Sequence, residues 1–284
     1  MKRREWEEFL GVNLLRLVIG ITVAFLILFL SVIFSKGGPM ISWSFLTESP
    51  RKYMTEGGIF PAIVGTFWLT ILSIAFSLPL GIFTAIYLSC YARAAWFVRI
   101  TRLSVRTLAG VPSIIFGLFG RMVFVHLFGF GISILSGALT LGILALPMII
   151  NSSEEAIRGV PKDFWEASLA LGATQRQTIL RVILPTALPN ILTGVIISIG
   201  RVAGETAPIL FTAATFYTRQ MPSSAMDEVM ALPYHIYALM TEGAHASKQV
   251  PIAYGTAVVL LLVVLSISAI AIIIRYHMRR KRTW

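Results

Sequence analysis

The chain has 284 residues, of which 56% are hydrophobic and only 13% charged, and its formal net charge is +11. Its mean hydropathy is +0.81. A soluble domain carries about a quarter charged residues, so this composition excludes an ordinary soluble globule, and the single cysteine, Cys90, excludes an intramolecular disulfide.

The apolar residues fall in six stretches, roughly 14–34, 60–90, 108–128, 132–151, 186–214 and 252–274. Each is long enough for a helix of ~20 residues to cross the hydrocarbon core. The alternating ~10-residue segments of a membrane β-barrel are not seen. An all-α integral membrane bundle of six transmembrane helices is therefore predicted.

The basic residues follow that topology. With the N-terminus placed in the cytoplasm, Lys2, Arg3, Arg4, Arg93, Arg99, Arg102, Arg106, Arg158, Lys162, Arg176, Arg181, Arg275, Arg279, Arg280, Lys281 and Arg282 fall inside, with Arg16 at the edge. Only Lys36, Arg51, Lys52, Arg219 and Lys248 fall outside. This positive-inside asymmetry puts both termini in the cytoplasm. It also accounts for the basicity without nucleic acid.

In chain order, the stretch 14–34 is longer than a signal-peptide core and lacks a small-x-small cleavage site, so it reads as an uncleaved anchor. The outside segment Lys36–Gly58 is broken by Gly37, Gly38, Pro39 and Pro50, with room for a short amphipathic piece around Ile41–Leu46. Residues 1–58 are taken as an N-terminal unit and 59–280 as the main membrane domain. Phe60–Cys90 exceeds one span, and Pro79 with Gly81 allows a kink. Ala92–Thr107 reads as a basic interfacial loop with Trp96 and Phe97 as its anchor.

Ala109–Gly120, AGVPSIIFGLFG, opens the third span, and its glycines suit close helix packing. Arg121, deeper in this span, either lines a pathway or snorkels near the outer end, the latter being favoured. The short link Gly129–Ser133 implies an antiparallel hairpin with the fourth span. At Asn151–Glu155, Ser152 and Glu155 form a capping-box pattern that predicts a new helix.

Residues 152–184 form the largest inside loop. Asp163 is expected to cap a helix through Trp165 to Leu171, with Glu166 as its reciprocal partner. Gly172 suits a left-handed C-cap, and Thr174 with Gln177 opens a second helix towards Pro185. This helix, glycine turn, helix unit either lies on the bilayer or docks in a groove of a soluble partner. Glu166 favours the partner, because an acidic residue gains nothing from an anionic leaflet.

The fifth stretch carries Arg201 and Glu205 four residues apart, hence on one helical face. At ~1.5 Å per residue, Arg201 lies ~24 Å beyond Pro185, past the bilayer middle. Burying an arginine there costs about 3 kcal/mol or more. Two readings stay open: a structural ion pair, or an anion relay in which the guanidinium's paired donors take an oxyanion. Glu205 is the only acidic residue within the six stretches. Pro208, in the same span, is expected to bend it. The outer segment Thr215–Val250 offers room for a partner to dock.

No chemistry of its own is encoded. The chain has no GxxxxGK[ST] phosphate loop, and His126, His235, His245 and His277 lack metal-ligand spacing.

Glu166-Ala167-Ser168, then Gly172, then Val182-Ile183-Leu184-Pro185 resembles the EAA loop of ABC-importer permeases, with Ser168 and Val182 as mild departures and the spacing intact. That resemblance implies the type I, MetI-like permease fold. It makes Glu166, Ala167 and Gly172 part of the motif that couples to an ATP-binding subunit. AGVPSIIFGLFG and IGRVAGETAPILFTA further resemble the phosphate-uptake permeases, the PstA type more than the PstC type. The resemblance implies an inner-membrane, non-catalytic subunit importing inorganic phosphate. Its partners would be a second permease, an ATP-binding subunit dimer that holds ATP and magnesium, and an extracytoplasmic phosphate-binding protein. No cofactor would be bound by this chain. It also implies that Arg201, with Glu205 beside it, serves phosphate passage. The alternatives are another oxyanion such as sulfate or a phosphonate, or a secondary anion transporter.

Overall fold

The computed structural model describes residues 2–52, 54–92, 94–218, 220–243 and 245–280. Arg93, Arg219, Lys281 and Arg282, used above in the charge asymmetry, lie outside the described residues. The first helix, α1, spans Lys2–Gly37. A short α2, Trp43–Thr47, follows, capped by the Ser42 hydroxyl, which accepts from the Phe45 amide. Then comes a small antiparallel hairpin of β1, Pro50–Arg51, and β2, Glu56–Gly57. The long α3, Phe60–Ile86, runs on through a π-helical turn, Tyr87–Tyr91.

The expected basic loop at Ala92–Thr107 is instead a helix, α4, Ala95–Ala109. It turns by 101° into α5, Ser113–Gly120, which continues as a π segment, Arg121–Leu127. Pro112 sets this corner. A proline disfavours helical backbone at the residue before it and donates no amide, so the helix cannot run through Val111. The third span is thus Ser113–Leu127, shorter than the expected 108–128. It counts as the sixth crossing only together with α4 as one bent pair, beside five unbroken candidate spans among the described residues.

The fourth span and the helix expected to start at Ser152 are one helix, α6, Ile134–Arg158. The Ser152 hydroxyl donates to the Ile149 carbonyl at 3.2 Å instead of capping. Pro147 sits inside α6 without ending it. The segment after α6 holds α7, Lys162–Ala170, and α8, Gln175–Thr178, which passes through a π turn, Ile179–Ile183, into α9, Leu184–Gly204. A separate short α10, Ala207–Thr212, completes the fifth crossing. A loop and α11, Leu232–Thr241, lie between α10 and the last span, α12, Ala246–Arg280.

The centre is built by α3, α6 and α9. Leu69, Leu141, Ala145, Ile149 and Val202 are buried against one another there. Without water to drive burial inside a bilayer, close backbone approach and dispersion hold such helices together. In α5, a Cβ on Gly117 would meet Ala207 and Pro208, and one on Gly120 would meet Thr140. These glycines of AGVPSIIFGLFG therefore pack helix on helix, as expected. By contrast, α1 and much of α12 present exposed apolar side chains, as lipid-facing helices do.

Candidate functional site

The helix carrying Arg201 stops three residues later. Gly204 is the last residue of α9, and Glu205 has extended backbone, φ −73° and ψ 130°. Pro208 explains the break: its ring lacks an amide and clashes with the carbonyl four residues earlier, that of Gly204. The bend expected at Pro208 thus falls at Gly204–Glu205. The pair survives, but Glu205 lies just past the helix instead of sharing one of its faces. Arg201 Nε stands 3.4 Å from Glu205 Oε1, and the side chains are 42% and 18% exposed. A charge-assisted hydrogen bond is ordinarily ~2.7–2.9 Å, so this contact is loose. Arg201 also sits in the last turn of α9, where the helix dipole favours a cation.

Arg201 opens into a cavity of about 310 Å³. Its walls include Leu108 and Ala109 at the end of α4, Phe116 on α5, and Leu144, Pro147, Asn151, Ser152 and Glu155 along α6. From Leu144 to Glu155 is ~16 Å of helix rise. The cavity therefore runs from mid-span towards the loop face of the bundle. Arg121 does not join it: it is exposed at the start of the π segment.

The loop 152–184 builds a second site. Pro161, not Asp163, occupies the N-cap of α7, and Asp163 falls in the first turn with no side-chain cap bond formed. Proline's fixed φ suits the entry to a helix, and this displaces the expected cap by two residues. Phe164 and Trp165 pack against the cluster of Ile157, Ile183, Ala187 and Ile191. Glu166, Ala167 and Gly172 are exposed. Gly172 has φ +82°, a left-handed conformation that costs any other L-residue energy. The Thr174–Gln177 capping box forms in both directions. Ser168 and Thr178 hydroxyls share a hydrogen bond of 2.9 Å, which holds α7 against α8. At the tip, Leu171 is 90% exposed.

Sequence reasoning missed one ionic cluster. Because α6 continues to Arg158, Glu154 and Glu155 belong to the fourth helix, so Glu205 is not the only carboxylate carried by the spans. Glu154 is buried and accepts from Arg102 on α4 at 2.6 Å and from Arg158 one turn on at 3.0 Å. The only signal was the four-residue spacing of Glu154 and Arg158. The Arg102 contact spans 52 positions and has no local signature. No group of three or more His, Cys, Asp or Glu gathers to hold a metal among the described residues.

Residues 77–283 match the family model for the binding-protein-dependent transport system inner membrane component. The chain belongs to this family. The permease is 32% identical over 273 residues to a probable ABC transporter permease protein, YqgI, of Bacillus subtilis, covering 92% of each chain. It is 37% identical over 240 residues to the phosphate transport system permease protein PstA 1 of Mycobacterium tuberculosis, covering 83% of this chain and 77% of the relative. In fold it resembles a chain of a bacterial ABC transporter involved in import of the acidic polysaccharide alginate, at TM-score 0.67 and 17% identity, with 99% and 98% covered. The last likeness speaks for fold alone, that of an ABC-importer permease. On that fold, the permease presents the exposed α7–α8 turn on one face and the Arg201 cavity leading towards it.

Proposed function

We propose that this permease is the membrane-spanning subunit of an ATP-driven importer of inorganic phosphate, and that Arg201 and Glu205 line its substrate path. The observation that carries the reading is the loose Arg201–Glu205 contact, whose arginine lines the cavity. A half-exposed guanidinium held at 3.4 Å by one carboxylate is readily taken over by an oxyanion with paired acceptor oxygens. Glu205 then returns to Arg201 and hastens release. The relatives named for phosphate transport support phosphate as the anion.

In this reading Glu166, Ala167 and Gly172, with the Leu171 tip, dock in a groove of a separate ATP-hydrolysing subunit. A leucine 90% exposed on a loop between two short polar helices suits an apolar groove. ATP and magnesium bind that subunit, and this chain holds no cofactor. A second permease completes the path, and an extracytoplasmic binding protein delivers phosphate at the opposite face. In this reading both termini of the permease lie in the cytoplasm, the orientation that the charge asymmetry supports.

The test is uptake of labelled phosphate by vesicles holding this chain with its partner permease, ATPase and binding protein. Uptake that needs ATP and is blocked by unlabelled phosphate but not by sulfate is the expected result. Arg201→Gln should reduce it to background while the complex still assembles. Sulfate blockade would move the substrate elsewhere, and undiminished uptake in the variant would remove Arg201 from the path.

A further inference from the structure

Four arginines meet in a pocket that the substrate path does not use. Arg99, Arg102 and Arg106 lie three, then four, residues apart on α4, one face of that helix, and Arg158 joins them from the end of α6. The pocket is an open groove of about 780 Å³, and Leu88, Val98 and Leu103 add apolar surface to its lining.

The charges do not balance. Glu154 answers Arg102 and Arg158, while Arg99 and Arg106 are exposed and have no carboxylate partner among the described residues. Four guanidinium groups against one bonded carboxylate leave a strong local excess of positive charge. Such an excess beside apolar surface suits a ligand with an anionic head and a hydrocarbon body.

The setting favours a lipid. The helix α4 is amphipathic, seating Val98 and Val105 on Leu88 and Ile150. It meets α5 at 101°, an angle that lets an amphipathic helix lie along a membrane surface while the next helix turns inward. Trp96 is 68% exposed and packs edge-on against Phe97. An aromatic pair of this kind sits well at headgroup depth. The pocket also lies on the coupling-loop face, because Gln175 of that loop bonds the Cys90 carbonyl at the end of the helix that supplies Leu88. Basic pockets between helices on that side of a membrane are fit to hold lipid phosphates.

We propose that this pocket binds the headgroup phosphate of an anionic phospholipid, with Arg99 and Arg106 as its donors and Arg102 and Arg158 held in place by Glu154. The assignment does not depend on what the permease transports.

The test is native mass spectrometry of the delipidated full chain titrated with phosphatidylglycerol, phosphatidylcholine or inorganic phosphate. The double variant Arg99→Gln/Arg106→Gln leaves the Glu154 contacts intact, and unchanged thermal unfolding checks that it folds. Each arginine near an anionic surface contributes enough that removing two should weaken phosphatidylglycerol binding about 30-fold. Phosphatidylcholine binding should not change. Arg181→Gln, which removes a charge elsewhere on the same face, should also leave phosphatidylglycerol binding unchanged. Equal phosphatidylglycerol binding by wild type and the double variant would overturn the proposal, as would an equal loss in Arg181→Gln. Displacement of phosphatidylglycerol by inorganic phosphate would overturn the lipid and give the pocket to the free anion.

Discussion

Gln175 donates through Nε2 to the Cys90 carbonyl at 2.8 Å, joining the α7–α8 loop to the end of the second span across 85 positions. The loop is therefore anchored on one side to α3 and, through Phe164 and Trp165, to the core.

The turn at the tip depends on Gly172. Any other L-residue at φ +82° costs roughly 1–2 kcal/mol, least for asparagine. A Cβ there meets no neighbouring atom, so the penalty is one of backbone conformation and not of a clash. Gly172→Val is expected to uncouple phosphate uptake from ATP hydrolysis or to weaken ATPase binding, and Gly172→Asn to retain most coupling. ATPase assays of the reconstituted complex, with and without transport, distinguish these outcomes. Full coupling in the valine variant would remove the turn from the docking element.

Glu205→Gln tests the relay. Losing the competing carboxylate leaves Arg201 free to hold the anion longer, so both the apparent KM and kcat for phosphate should fall. A structural pair predicts a loss of assembled protein instead, with unchanged kinetics in what remains.

Glu154→Gln removes the carboxylate that two arginines share. A fully buried pair broken on one side costs ~3–5 kcal/mol, and partial exposure of both arginines lowers the expectation to about 2–3 kcal/mol. The apparent midpoint of thermal unfolding in detergent should drop by several degrees. Arg102→Gln added to Glu154→Gln should recover part of the loss.

His235 on α11 is buried, and neither ring nitrogen has a hydrogen-bond partner among the described residues. Burial pushes its pKa down from 6.5 to about 4. Below pH 6.5 the unfolded chain takes a proton that the folded chain refuses until about 4, so stability falls as pH drops through that window. At about pH 5 the loss amounts to about 2 kcal/mol. His235→Leu should flatten the decline in unfolding midpoint between about pH 7.5 and 5. An equal decline in the variant would assign the acid sensitivity to other groups.

Much of this was legible in the residues. Five of the apolar stretches became unbroken or once-broken spans, because hydrophobic length is a local property read against a fixed bilayer thickness. The Thr174–Gln177 box and the left-handed Gly172 were equally local, each decided within four residues. Local reading failed where a proline acted at a distance along the backbone. Pro112 turned a loop and a span into a bent pair, and Pro208 ended α9 at Gly204. It failed again at Ser152, where a capping pattern lost to the unbroken hydrogen bonds of α6.

The sequence by itself determined the order of the long apolar helices, the glycine turn at Gly172 and the presence of an arginine four residues before an acid in the fifth stretch. Tertiary structure alone decided what Arg201 faces, where Glu154 finds its second arginine and how four guanidinium groups come to share one pocket. The reason is range. A span or a cap is settled by neighbours in the chain, whereas the cavity and the pocket exist only once α4 and α9 are packed against α6.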